Sequence, residues 1–220
     1  MTIRLNSFVL SDSIIERMGY HLERSRSIGL EHGFVLCSEH TSDGDILTDS
    51  GHCIGTKCEL IFEAACKKKH ERVVGSYHTH PRGTSLMSDI DMKTSCDHEI
   101  ACVGGGKDNR ITCFVTKKHI DKNECKAQAD ISLRKNIPHQ DESQRIAVEK
   151  EAFSKIAEEH MRKIATSMRY SREIEEENKR LKKLQDELNA RIYRNNYNVG
   201  ECLKFRNEII NKYFDTYNIK

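Results

Sequence analysis

The 220-residue sequence has no tryptophan and only two prolines, and aromatic residues make up 6% of it. So few rings leave little of the flat stacking surface on which sugar recognition rests. Neither sign of charge dominates: 36 Lys and Arg against 34 Asp and Glu leave a formal charge of +2. That balance argues against nucleic acid as the main partner. No apolar run approaches the length of a membrane span, and the opening Met1-Thr2-Ile3-Arg4-Leu5-Asn6 lacks the apolar core of a signal peptide. A soluble, cytoplasmic protein with no membrane partner is expected. Nine cysteines are present without one Cys-x-x-Cys pair. Their number is odd, and Cys37, Cys102 and Cys113 fall in apolar strand patterns, so buried free thiols and a reducing compartment are expected.

What the chain does have is Tyr77-His78-Thr79-His80-Pro81, followed after a short loop by Ser88-Asp89-Ile90-Asp91. Side chains alternate across a strand, so His78 and His80 project from one face and can share a metal ion. Pro81 ends the strand, since it has no N–H and a fixed φ. The residues Arg82-Gly83-Thr84-Ser85 read as a loop, and Ser88 suits a helix N-cap with Asp89 and Asp91 in the first turn. Asp91 can then point back at the histidines. Three protein ligands leave the fourth tetrahedral position of Zn²⁺ open, the pattern of a catalytic site.

His-x-His-Pro and Ser-x-x-Asp, with His80 and Asp91 eleven positions apart, resemble the JAMM (MPN+) metalloprotease family. The segment Glu31-His32-Gly33-Phe34-Val35-Leu36 is similar to that family's upstream strand. The resemblance covers roughly the first 125 residues. It implies one catalytic zinc held by His78, His80 and Asp91, with Glu31 as general base and Ser88 as donor to the oxyanion. It implies isopeptide hydrolysis that removes ubiquitin or ubiquitin-like modifiers. For the fold it implies an α/β domain with the curved, mixed MPN (JAB) sheet flanked by helices.

The chemistry also follows from the residues. A zinc ion acidifies water and polarises a carbonyl, and amide cleavage further needs a carboxylate that carries a proton to the leaving nitrogen. The resemblance assigns that role to Glu31; Glu39, at the far end of the same strand, and Glu59 and Glu63 on the next helix are the competing carboxylates. Ser88, one turn before Asp91, suits donation to the oxyanion; its competing role is the N-cap alone. Alternative functions are a non-catalytic MPN scaffold and a metal-dependent peptidase or small-amide hydrolase, for instance of cell-wall peptides. His52-Cys53 with Cys58, and His98 near Cys96 and Cys102, lack zinc-finger spacing, and Lys93 stands where some eukaryotic relatives place a ligand for a structural zinc. A single ion is therefore expected. The run Gly104-Gly105-Gly106-Lys107 lacks phosphate-loop spacing and reads as a turn.

Periodicity predicts a helix over 11–26, a strand over 32–37, a loop over 39–55 that is a candidate substrate flap, and a helix over 56–69. Strands are predicted over 72–80, 99–103 and 110–115. Residues 126–140 read as a linker. Over 141–220, Phe153, Ile156, Ala157, His160, Met161, Ile164 and Met168 mark one amphipathic face, and Ile174, Leu181 and Leu188 are spaced as in a coiled coil. Asn178 interrupts that seam, 195–200 breaks the helix, and a short helix ends the chain. This C-terminal helical, coiled-coil extension is expected to mediate homo-oligomerisation or bind a protein partner.

Overall fold

The computed structural model describes residues 2–42, 44–55, 66–166 and 172–219. Two compact units are present: Met1–Asp130 together with Glu208–Lys220, and Ile131–Asn207. The first opens with strands β1 (Ile3–Leu5) and β2 (Phe8–Leu10), paired antiparallel around Asn6, whose φ of 54° is one that Asn tolerates. Helix α1 (Asp12–Ile28) follows and buries Ile14, Met18 and Leu22 at four-residue steps. Gly29 closes it with a φ of 70°, its N–H donating to the Ser25 carbonyl at 2.8 Å. Next come β3 (Glu31–Thr41), β4 (Gly44–Gly55), β5 (Arg72–His80), α2 (Asp89–Ser95), β6 (Ile100–Gly105) and β7 (Arg110–Thr116). The chain continues through helices α3 (Lys122–Thr166) and α4 (Arg172–Tyr213) to strand β8 (Phe214–Asn218).

All eight strands form one sheet in the order β1-β2-β4-β3-β5-β6-β7-β8. The β2/β4 and β5/β6 pairs are parallel, whereas the other neighbours are antiparallel. The sheet curls until its two edges meet. Asn6, between β1 and β2, donates from Nδ2 to Asp215 Oδ2 at 3.0 Å and accepts from Tyr217 Oη at 2.7 Å. Leu5, Phe8, Met18, Leu22, Phe34, Tyr77 and Ile111 belong to one buried core between α1 and the sheet, and Tyr77 Oη donates to the Met18 carbonyl at 2.8 Å.

This architecture corrects the expected MPN-type sheet with a C-terminal helical extension. The sheet is an eight-stranded, nearly closed barrel, and its last strand comes from the end of the described chain. The helices are an insertion between β7 and β8. Residues 213 and 214 read as one apolar helix end, but Phe214 is already paired with Thr116 on β7. An open β7 edge would leave backbone donors and acceptors unpaired, and β8 satisfies them.

The second unit is an antiparallel helical hairpin. Arg191 bonds Glu142 at 2.7 Å and Glu149 at 2.5 Å, and Asn195 Nδ2 donates to Ser143 Oγ at 2.8 Å. Asn178 Oδ1 lies 2.9 Å from Nε2 of the buried His160, so the polar residue in the seam has a specific partner. A coiled coil is not evident, because none of Ile174, Leu181, Leu184, Leu188 and Ile192 is buried. Helix α3 runs through the expected linker and Pro138, and α4 through the expected break at 195–200.

Three further corrections concern the first unit. The expected loop over 39–55 is largely strand, β3 reaching Thr41 and β4 starting at Gly44, its pairing partner. Of the triple glycine, Gly104 and Gly105 belong to β6, and the turn occupies 106–109. In place of free thiols, Cys37–Cys66, Cys96–Cys125 and Cys102–Cys113 are disulfides, which removes the thiol argument for a reducing compartment. Cys102 and Cys113 face each other across the β6/β7 ladder. The helix expected over 56–69, with Cys58, Ile61, Phe62 and Ala65, falls mainly outside the described residues, as does Met168. No helix among the described residues is long and apolar enough to cross a membrane.

Candidate metal centre

Strand β5 alternates as its sequence requires. His78 and His80 emerge on one face, while Thr79 turns to the other, donates to Ser25 Oγ on α1 at 2.8 Å and accepts from the His32 N–H at 2.8 Å. The chain then bends at Pro81. The His80 carbonyl accepts from Gly83 N at 3.1 Å and Gly106 N at 2.8 Å, closing the turn against the sheet. Ser88 caps α2 in a reciprocal box: its Oγ accepts from Asp91 N at 3.2 Å, and Asp91 Oδ2 accepts from Ser88 N at 2.8 Å. The cap holds the Asp91 carboxylate towards β5.

The three predicted ligands meet. His78 Nε2 lies 3.1 Å from His80 Nε2 and 3.2 Å from Asp91 Oδ1, and His80 Nε2 lies 3.1 Å from Asp91 Oδ2. Bonds of about 2.0–2.1 Å to a tetrahedral ion separate its ligands by about 3.3 Å. The donor set therefore fits one face of such an ion. Side-chain exposures of 12%, 16% and 19% for His78, His80 and Asp91 leave that face open on one side. His80 Nδ1 donates to the Thr84 carbonyl at 3.1 Å, which leaves Nε2 as the bare nitrogen facing its partners.

Electrostatics tie the cluster together. Burial works against a charge on His80, but Asp91, the Thr84 carbonyl and the nearby Glu31 outweigh it and raise its pKa. Burial likewise disfavours the Asp91 carboxylate, yet His78 and His80 hold its pKa well below the usual carboxylate value. An anionic ligand between two imidazoles is the form that binds a cation.

Glu31 belongs to the same face. Gly33 pairs with His78 across the antiparallel β3/β5 ladder, so two residues back along β3 brings Glu31 level with His80. Glu39, the alternative base on β3, is engaged with Lys68 at 2.8 Å and His70 at 3.2 Å. Glu59 and Glu63 lie outside the described residues. Ser88 Oγ accepts one backbone N–H, and its own hydroxyl hydrogen remains available to donate. Lys93 forms an ion pair with Asp130 at 2.8 Å.

Sequence reasoning did not find the residues that hold the metal loop. Asp108, in the β6/β7 turn, accepts from Ser85 N at 3.1 Å and from Ser85 Oγ at 2.9 Å, and Ser85 Oγ accepts in turn from Thr112 at 2.9 Å. The glycines make this approach possible. A Cβ on Gly105 would stand 2.2 Å from Ser85 N, and one on Gly106 2.0 Å from the Pro81 oxygen. The glycine run itself was the available signal, because close backbone approach is the other use of glycine beside the turn. No protein-family model matches the chain, and no curated protein matches it.

Proposed function

We propose that the chain is a zinc-dependent isopeptidase that removes ubiquitin or a ubiquitin-like modifier from proteins, as its JAMM-like motif suggests. The observation that carries this reading is the half-open triangle of His78, His80 and Asp91, with Glu31 level with it on β3. Zinc held there supplies Lewis acidity towards the scissile carbonyl and acidifies the attacking water. Glu31 accepts the proton of that water and delivers it to the leaving nitrogen. The Ser88 hydroxyl donates to the oxyanion that develops as the carbonyl carbon becomes tetrahedral. Thr84 keeps His80 in its ligating tautomer, and the Ser85–Asp108 pair holds the loop that carries both.

The test is cleavage of isopeptide-linked and linear modifier conjugates by the purified chain, with metal content measured in parallel. Glu31→Gln is expected to retain the metal and lose about 10²–10⁴-fold in kcat. A chelator is expected to abolish cleavage, and added Zn²⁺ to restore it. Cleavage unaffected by chelator or by Glu31→Gln would overturn the proposal. A partner-binding or self-associating role for the helical hairpin is part of the same reading. Its support is the exposure of Val148 at 69%, Met161 at 62%, Tyr193 at 78% and Tyr197 at 63%.

A further inference from the structure

A second cluster of histidines lies on the opposite face of β3. Alternation along β3 sends Glu31 to the face shared with His78 and His80, and His32 to the α1 face. There it meets His21 from α1 and His52 from β4. His32 Nδ1 stands 3.3 Å from His21 Nδ1 and 3.3 Å from His52 Nε2, and the three rings offer one nitrogen each within 4.8 Å of one another. We propose that His21, His32 and His52 form a second metal site, selective for Zn²⁺ or another imidazole-preferring divalent transition ion.

Geometry carries the argument. Nitrogen ligands at about 2.0–2.1 Å from a tetrahedral ion stand about 3.3 Å apart, which is the separation of both measured pairs. That is long for an N–H hydrogen bond, whose usual range ends near 3.2 Å. The His32 ring is wholly buried, and its other nitrogen, Nε2, has no hydrogen-bond partner among the described residues. A buried imidazole with one unpartnered nitrogen and only long contacts at the other leaves polar interactions unmet. An ion at Nδ1 would replace those long contacts with coordinate bonds, the ring proton then residing on Nε2.

The chemistry agrees. All three donors are imidazoles, a set suited to zinc, copper, nickel or cobalt and poor for magnesium or calcium. Burial first, then the neighbouring histidines and Arg17, lower the His21 pKa to about 4. Burial first, then His52 and Arg24, also lowers the His32 pKa, and burial first, then Arg17 and Arg24, lowers that of His52, which favours the neutral, ligating form of the rings. Arg17 and Arg24 oppose added positive charge, and Asp49, paired with Arg17 at 2.8 Å, offsets the first of them. His52 is solvent-exposed and gives an ion access to the site. With three protein ligands, the fourth position is left to water or an external donor.

The site is independent of the proposed catalytic centre, and the test separates the two. The full chain is equilibrated with Zn²⁺ and dialysed, and its metal is counted by mass spectrometry beside the single variants His52→Ala and His80→Ala and their double variant. Two equivalents are expected for the unmodified chain, one for each single variant and none for the double. Because His52 is exposed, its replacement leaves the core intact. Cobalt substitution gives a second readout: visible d–d bands must change in His52→Ala beyond those that His80→Ala removes. A single equivalent in the unmodified chain, lost in His52→Ala and unchanged in His80→Ala, would uphold this site and overturn the catalytic one. Stoichiometry and cobalt spectrum unchanged by His52→Ala would overturn the second site.

Discussion

At the scale of single residues, Ser88 caps α2, and the proposed function gives the same side chain a second role. Its oxygen accepts the Asp91 N–H that caps α2, while its hydroxyl hydrogen is assigned to the oxyanion. Ser88→Ala removes both, whereas Ser88→Asp keeps a good cap and removes only the donor. Steady-state kinetics should show kcat falling about 10²–10³-fold in Ser88→Ala with KM little changed, and no recovery in Ser88→Asp. Recovery in Ser88→Asp would reduce the residue to a cap. Asp108 acts through stability. Burial disfavours its charge, but the Ser85 N–H and hydroxyl outweigh that and lower its pKa. As pH falls, the unfolded chain therefore takes up this proton before the native state does. The contribution is full above about pH 4, the ordinary aspartate value, and is lost as pH drops through the lower native value. Asp108→Asn should cost about 1 kcal/mol at neutral pH, and the gap from the unmodified chain should narrow below about pH 4 in urea titrations.

At the scale of elements, the short helix α2 matters most, since its first turn carries Asp91. Seven residues are too few to be stable alone, so α2 depends on what binds its ends. The capping box holds the first, and the Cys96–Cys125 disulfide ties the last to the start of α3. The bond spans 29 residues, for which loop-closure entropy gives about 3.6 kcal/mol. Cys125→Ser should lower unfolding stability by that order and weaken metal retention in competition with a chelator. An unchanged metal affinity would mean that the cap alone positions Asp91. Strand β3 is the other decisive element. Its alternation separates Glu31 from His32, so adjacent residues point to the two proposed centres on opposite faces.

At the scale of the whole molecule, two compact units share one chain, and the order of elements decides how their roles can be tested. Strand β8 completes the sheet, so truncation after residue 140 would remove a strand along with the helical hairpin. Surface changes avoid that confusion. Val148 and Met161 are exposed at 69% and 62%, and replacing both with glutamate should leave thermal stability within about 0.5 kcal/mol. The same variant should lower self-association or partner binding, read by sedimentation velocity. An unchanged sedimentation profile and partner set would end the assignment of those functions to this surface.

The chain by itself determined the set His78, His80 and Asp91, because strand alternation and the Ser-x-x-Asp cap are local rules that act over a few residues. Helix α1, strand β5 and the cap of α2 were legible for the same reason. Strand β4 was hidden because Asp45, Asp49, Ser50 and Gly51 carry turn chemistry, and only pairing with β3 and β2 makes a strand of them. The near-closure of the sheet, the strand drawn from 214–218, and the pairing of Cys102 with Cys113 were decided by tertiary structure. So was the meeting of His21, His32 and His52, which stand 11 and 20 residues apart in pairs. Each depends on register and packing between distant segments. Residues that never approach one another along the chain leave no periodic signal in it, and only the folded backbone brings them within bonding distance.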